Sequence, residues 1–267
     1  MSQNLIRKLF RDQRWTLLGF GLGIAAYALL ITLMFPTASQ NAKLMDDYMK
    51  MMPEAMLKAF GIEGSMASFT GFITAEFLNL MWVLMAAAFA ISFGGAMIAK
   101  EIETGTMELL LSAPISRQRV FWSKVAVLLT GLVVVTVAGI AAIWLGAILV
   151  NVSIDVGRYV GVGLLGLAFF VAIGGFAAVL SSFADDRGRP TLIAIGITLA
   201  LYLMNFVAAY WTKLEWIKYL TLFHYYQPRQ ILDAGVMPWG DLAVFAGTAV
   251  ACLAAASLIF QRRDITV

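Results

Sequence analysis

The residues best placed to do chemistry lie in one charged segment, residues 100–124, between two long apolar stretches. Carboxylates open the segment, leucines follow and cations close it, in the order Glu101, Glu103, Glu108, Leu109, Leu110, Leu111, Arg117, Arg119 and Lys124. An apolar cluster flanked by opposite charges, outside lipid, suits docking of another protein better than catalysis. An ordinary charged loop over a buried apolar patch would use the same residues, so composition alone leaves both interpretations open.

Capping residues predict how this segment folds. Thr106 can cap a short apolar helix over residues 107–111 that Pro114 ends. Ser116 can cap a second helix that continues into the following apolar stretch. The segment should therefore present a short helix between two longer ones.

Other chemistry finds little support in the sequence. The phosphate-binding pattern Gly-x-x-x-x-Gly-Lys-Ser/Thr is missing, so we expect no ATP site in this chain. The single histidine, His224, lies among tyrosines and favours packing over proton transfer. Methionines crowd residues 45–66, which suits either a Cu(I) site or flexible apolar packing. We therefore predict a chain that is not an enzyme and holds no cofactor of its own.

The composition places these residues in a membrane protein. Hydrophobic residues make up 61% of the chain and charged residues 13%, with a mean hydropathy of +0.85. Such a chain lacks the polar surface of a water-soluble domain. The net charge of +3 is too small to indicate a nucleic-acid partner.

Six apolar stretches are long enough to cross about 30 Å of hydrocarbon, which takes about 20 helical residues. They predict spans near 15–35, 72–99, 125–150, 159–182, 191–211 and 241–260. Barrel-type alternation is missing, so the fold class is an all-α membrane protein with one transmembrane domain over residues 1–267. Twelve of the nineteen lysines and arginines fall on the side of the termini, which predicts cytoplasmic ends.

Two further segments carry predictions of their own. Residues 4–15 alternate apolar and basic positions, as in an amphipathic helix on the inner membrane surface or in the flank of a membrane anchor. Residues 219–228 are apolar but too few to cross, which predicts a re-entrant or interfacial piece between spans five and six.

Ionisable residues are missing from the depth of the spans, which disfavours an ion-coupled transporter. The polar residues that could line a pathway are Asn79, Tyr202, Asn205 and Tyr210. They suit an amphipathic or lipid-like cargo, although Asn205 could equally join two helices.

The charged segment resembles that of ABC-2-type (type V) ABC transporter permeases. The family pattern Glu-x-x-x-Gly-Thr-x-Glu-x-Leu-Leu-x-x-Pro-x-Ser-Arg is carried here by Glu101, Gly105, Thr106, Glu108, Leu110, Leu111, Pro114, Ser116 and Arg117, with Glu103, Leu109 and Lys124 also matching. Residues 223–228 and 260–265 are similar to the family's later motifs, so the resemblance covers nearly the whole chain.

The resemblance implies a coupling helix between spans two and three, seated in a separate cytoplasmic ATP-binding subunit that supplies ATP and Mg²⁺ chemistry. It also implies an amphipathic N-terminal helix, re-entrant outer helices and a second permease chain, either identical or a paralogue. The function implied is export of an amphipathic, lipid-like or drug-like substrate across a prokaryotic plasma membrane. An ion-coupled secondary transporter and a non-transporting scaffold or sensor anchor are the alternatives.

Overall fold

The structure, a computed structural model, describes residues 3–53, 66–107 and 115–263, and every regular element in these ranges is helical. The elements in chain order are α1 (Gln3–Gln40), α2 (Ala42–Met51), α3 (Phe69–Ile73), a π turn (Thr74–Leu78), α4 (Met81–Gly95), α5 (Ala99–Glu103), α6 (Arg117–Leu149), α7 (Val156–Phe183), α8 (Gly188–Tyr210), 3₁₀ helices at Thr212–Leu220 and Leu222–Tyr225, α9 (Pro228–Ala234) and α10 (Trp239–Arg262).

Six of these units are long and apolar enough to cross a membrane, as predicted. They are Arg7–Gln40, Phe69–Gly95, Arg117–Leu149, Val156–Phe183, Gly188–Ala208 and Trp239–Arg262, and we call them spans one to six. The all-α membrane architecture is thereby confirmed.

The helix of span one differs from the sequence prediction at both ends. Helix α1 runs unbroken from Gln3, so residues 4–15 are its first turns and do not form a separate amphipathic helix. The earliest glycine is Gly19 and Pro36 is the earliest proline, so no residue breaks the helix near position 15. The chain also stays helical past Pro36 to Gln40, where the sequence predicts the start of a loop.

Helix α7 lies at the centre of the bundle and packs against α4, α6, α8 and α10. Helices α4 and α7 approach closely, because a Cβ added to Gly94 would overlap the carbonyl oxygen of Gly174. A glycine is needed at position 94 because the two backbones approach too closely for any side chain. Helix α1 lies along α6 in parallel, since Leu17 contacts Gly131 and Thr32 contacts Gly146.

The bundle has two ends that carry different segments. The terminal end, as we call it, holds the N-terminus of α1, residues 96–107 and 115–124, the α7–α8 loop and Arg263. Hydrogen bonds of Arg117 and Arg263 link α6, the end of α10 and the α7–α8 loop. The distal end holds α2, the two 3₁₀ helices and α9. The segment between spans five and six is thus a series of short helices that packs back on the bundle, since Thr221 is fully buried.

Span two is built from three pieces. It begins with α3, continues through the π turn and, after residues 79–80, resumes as α4. A second turn at residues 96–98 leads into α5, which carries Glu101. The other five spans are single helices throughout their described lengths.

Candidate functional site: the charged segment at the terminal end

The structure describes part of the predicted docking site. Glu101, Glu103, Gly105, Thr106, Ser116 and Arg117 are described, whereas Glu108, Leu109, Leu110, Leu111 and Pro114 lie outside the described residues. Residues 54–65 of the methionine-rich stretch, with Met56 among them, lie outside the described residues too.

A buried ion pair joins α5 to α6 at the start of the segment. The Lys124 ammonium lies 2.8 Å from a Glu101 carboxylate oxygen and donates to the Met97 carbonyl at 2.6 Å. The Lys124 side chain is 6% exposed and that of Glu101 20%, so water screens the pair weakly. The pair therefore joins spans two and three at the terminal end, just outside their apolar parts.

The electrostatics of Glu101 follow from this pairing. Partial burial raises the pKa of the Glu101 carboxyl, but the Lys124 ammonium and a hydrogen bond from Thr106 more than offset this, so the pKa lies below its ordinary value. The carboxylate is consequently ionised at neutral pH.

A tight turn follows the ion pair. Gly105 adopts the left-handed conformation, with φ +68°, and its N–H bonds the Ile102 carbonyl at 3.0 Å. The Thr106 hydroxyl donates to the Glu101 carboxylate, and the Thr104 hydroxyl lies 2.9 Å from that of Thr106. This turn sets the direction in which the chain leaves Glu101.

The same side of the segment is fixed to α7 and α8. The Ser181 hydroxyl of α7 accepts hydrogen bonds from the N–H groups of Ile98 and Ala99, at 3.0 and 3.1 Å. The Glu103 carboxylate accepts from the backbone N–H of Arg187, in the α7–α8 loop, at 3.1 Å. Residues 98–103 are thus held by spans three, four and five together.

The other side of the segment is fixed to the C-terminal end of α10. Ser116 caps α6, as predicted, by accepting a bond from the Arg119 N–H at 3.3 Å. The next residue, Arg117, donates to the carbonyls of Phe260 and Arg263. Arg263 in turn donates to the Ala184 carbonyl at 2.8 Å and pairs with Asp185, at the end of α7.

One detail of the sequence prediction needs correction, and two carboxylates of the predicted docking segment have partners within the chain. Glu101 pairs with Lys124 at 2.8 Å and Glu103 with Arg187 at 3.8 Å. Met107, assigned to the exposed apolar helix, is 1% exposed and belongs to the core. The physical reason is proximity: cations from neighbouring helices reach these carboxylates, and the turn at Gly105 directs Met107 inward.

Sequence reasoning missed the anchors that lie far along the chain. Ser181, Arg187 and Arg263 contact the segment from 82 to 146 residues away, counted between partners. Only a pattern of charge at the ends of apolar stretches could have indicated Arg187 and Arg263. Nothing in the sequence distinguishes Ser181 from the neighbouring serine.

The predicted pathway residues divide into separate places. Tyr202 contacts Phe223 edge to face at 5.3 Å, and Asn205 accepts a bond from Thr221 at 3.2 Å, so both join α8 to the distal 3₁₀ helices. Asn79 lies in the break of span two. Tyr210 is the last residue of α8. The Asn205 bond thus links α8 to the distal segment, and a place for any of these residues in a pathway stays a prediction.

The described part of the charged segment is thus attached on both sides to helices of a six-helix bundle. Comparison of the sequence with family profiles identifies the family of the chain. The sequence profile of the ABC-2 family transporter proteins matches residues 13–265. The chain belongs to this family. No curated protein matches it at a significant level.

Membership establishes the general role of the chain. It is a multi-pass membrane protein and the membrane permease of an ABC transporter. Permeases of this family are typically non-catalytic, and the family implies an ATP-binding partner that hydrolyses ATP.

Proposed function

We propose that this permease is the membrane subunit of an ATP-driven exporter, energised by a cytoplasmic ATP-binding subunit docked on residues 101–123. Two permease chains, identical or paralogous, would form the pathway, and Mg²⁺ and ATP would act in the partner. The terminal end faces the cytoplasm of a prokaryotic cell in this proposal, as the distribution of lysine and arginine indicates.

The observation that carries the proposal is the double attachment of the charged segment. On one side Glu101 forms an ion pair with Lys124 of span three, and on the other Arg117 donates a hydrogen bond to the Phe260 carbonyl at the end of span six. A push on residues 104–116 would therefore move spans two, three and six as rigid bodies. A loop attached at one point would yield to the push instead.

The substrate class follows from the polarity of the spans. Spans two and five carry hydroxyls and amides but, among their described residues, no Asp, Glu, Lys, Arg or His near mid-depth. Such a lining suits an amphipathic, lipid-like or drug-like molecule, because an inorganic ion would lack charged ligands.

Affinity purification from native membranes, followed by ATPase assay, tests the proposal. We expect an ABC ATP-binding subunit to co-purify in a one-to-one ratio with the permease, and Leu110→Asp to abolish this binding because a carboxylate would enter the docking groove. Leu44→Asp is the matched control, since Leu44 is 62% exposed in α2 at the distal end. If Leu110→Asp leaves the subunit bound and its ATPase activity coupled, the docking assignment is wrong.

A further inference from the structure

The break in span two is held from outside the span. The Asn79 N–H bonds the Thr74 carbonyl at 2.9 Å, five residues back, and Leu80 departs from helical geometry with φ −122° and ψ −67°. Interruptions of this kind within a helix commonly coincide with functional movement. The break lies in the span that leads directly to Glu101.

Tyr226 reaches the break from the distal segment, and helix α9 of that segment also packs on α3 and on the π turn. Its hydroxyl lies 3.4 Å from the carbonyl oxygen of Leu78, the last residue of the π turn. Its ring stacks on Phe169 of α7, with centroids 5.2 Å apart and planes 19° from parallel. Only 8% of Tyr226 is exposed, so this contact is made inside the bundle.

The distal segment itself is fixed to the long helices. Thr221 bonds Asn205, and Phe223 lies against both Phe169 and Tyr202 at 5.3 Å. These contacts tie the 3₁₀ helices to α7 and α8. Tyr226 therefore holds span two against a support that does not belong to span two.

The π turn carries a sign of incomplete hydrogen bonding. Only 1% of Thr74 is exposed, and its hydroxyl has no hydrogen-bond partner within the described part of the chain. Buried hydroxyls are nearly always satisfied, so an exception calls for a physical reason. This hydroxyl lies in the same π turn whose last residue, Leu78, contacts Tyr226.

We propose that Tyr226 is a positioning residue for transport, which holds the distal part of span two, residues 69–78, against the bundle. When the contact with Leu78 breaks, this part swings at residues 79–80 while α4 stays attached to the charged segment. The inference rests on the proposed function, because Tyr226 would keep residues 69–78 packed on the bundle at the distal end until the charged segment moves.

Cysteine labelling in nanodiscs tests this without a transport substrate. A single cysteine is placed in the π turn by Ala75→Cys, in a Cys252→Ser background, and its reaction rate with a water-soluble maleimide is measured. Tyr226→Phe removes the hydroxyl and keeps the ring, and we expect it to raise the rate about threefold to tenfold, the effect of losing one hydrogen bond. Tyr225→Phe is the matched control, since the Tyr225 hydroxyl bonds Tyr219 within the distal segment, at 3.1 Å.

An unchanged rate in Tyr226→Phe would overturn the inference, and so would an equal rise in Tyr225→Phe, which would indicate general loosening. Hydrogen exchange on the unsubstituted chain keeps the idea testable even if a variant does not fold. Amides of residues 74–83 should exchange faster than those of residues 85–94 in the same span. Uniform exchange along the span contradicts the proposal.

The complex with the ATP-binding subunit separates this inference from the proposed function. In that complex Tyr226→Phe should leave subunit binding intact while ATP speeds maleimide labelling less than it does in the unsubstituted chain. If no subunit binds, the proposed function fails and the nanodisc result still stands. If a subunit binds and ATP affects both proteins equally, only the inference about Tyr226 fails.

Discussion

At the residue scale, the Glu101–Lys124 pair is the contact on which the terminal end depends. Glu101→Gln would leave the Lys124 ammonium buried without its counter-charge, and breaking a buried pair in this way costs about 3 kcal/mol or more. A denaturant titration in mixed micelles should show that loss, and the double variant Glu101→Gln with Lys124→Met should recover most of it.

The control for this prediction is Asp47→Asn. Asp47 forms an ion pair with Lys50 at the same 2.8 Å, but their side chains are 64% and 75% exposed. Exposed pairs contribute less than about 1 kcal/mol. Equal losses in Asp47→Asn and Glu101→Gln would show that burial of the Lys124 pair adds nothing.

The pKa of Glu101 gives a pH dependence with a defined sign. Because the folded pKa lies below the ordinary 4.5, the carboxylate stabilises the fold above that pH, and the contribution disappears as the pH falls through the lower, folded pKa. Melting curves should therefore show the difference between the natural chain and Glu101→Gln constant above about pH 5.5 and shrinking below about pH 4.5. A difference that grows on acidification would contradict the assigned partner.

Gly105 is a residue whose backbone, rather than its side chain, matters. With φ at +68° and no atom of the described residues within 4 Å of an added Cβ, Gly105→Ala would cost conformational energy of about 1–2 kcal/mol. Retention of the ATP-binding subunit in pull-downs should weaken accordingly, and Gly105→Asn should weaken it less. Gly196→Ala, a helical glycine with equally open surroundings, should leave retention unchanged.

At the scale of elements, the hydrogen bonds from Arg117 of α6 to the end of α10 can be tested by substitution. Arg117→Gln would remove charged hydrogen bonds to the last carbonyls of α10, which also complete the helix end. Hydrogen exchange of residues 256–263 should accelerate by about tenfold, as expected for the loss of a charged hydrogen bond. Arg119→Gln, on the exposed face two residues later, should leave this exchange unchanged.

Elements differ in how far the sequence determines them. Span helices were predictable because hydrocarbon thickness fixes a minimum apolar length, and the Ser116 cap because its hydrogen bond is local. The break in span two was not predictable, since it has no proline and its contact with the distal segment comes from Tyr226, 148 residues from Leu78. The docking residues 108–111 and 114 remain sequence predictions.

At the scale of the whole molecule, orientation is the property that most needs measurement. Arg189 is 85% exposed at the terminal end, and Ser153 is exposed at the distal end, in the α6–α7 loop. In a Cys252→Ser background, Ser153→Cys should react with an impermeant maleimide on intact cells, whereas Arg189→Cys should react only after permeabilisation. The reverse pattern would place the charged segment outside the cell and would end the docking model.

The ion pair between spans two and three also has a consequence for biosynthesis. Glu101 leaves the ribosome 23 residues ahead of Lys124, so the carboxylate is already in place when the lysine emerges. With the terminal end in the cytoplasm, as proposed, the hairpin formed by these two spans can close on the side from which the chain arrives, before the later helices are made. Residues 260–263 are synthesised last, and by then Arg117, which binds their carbonyls, is already part of the folded hairpin.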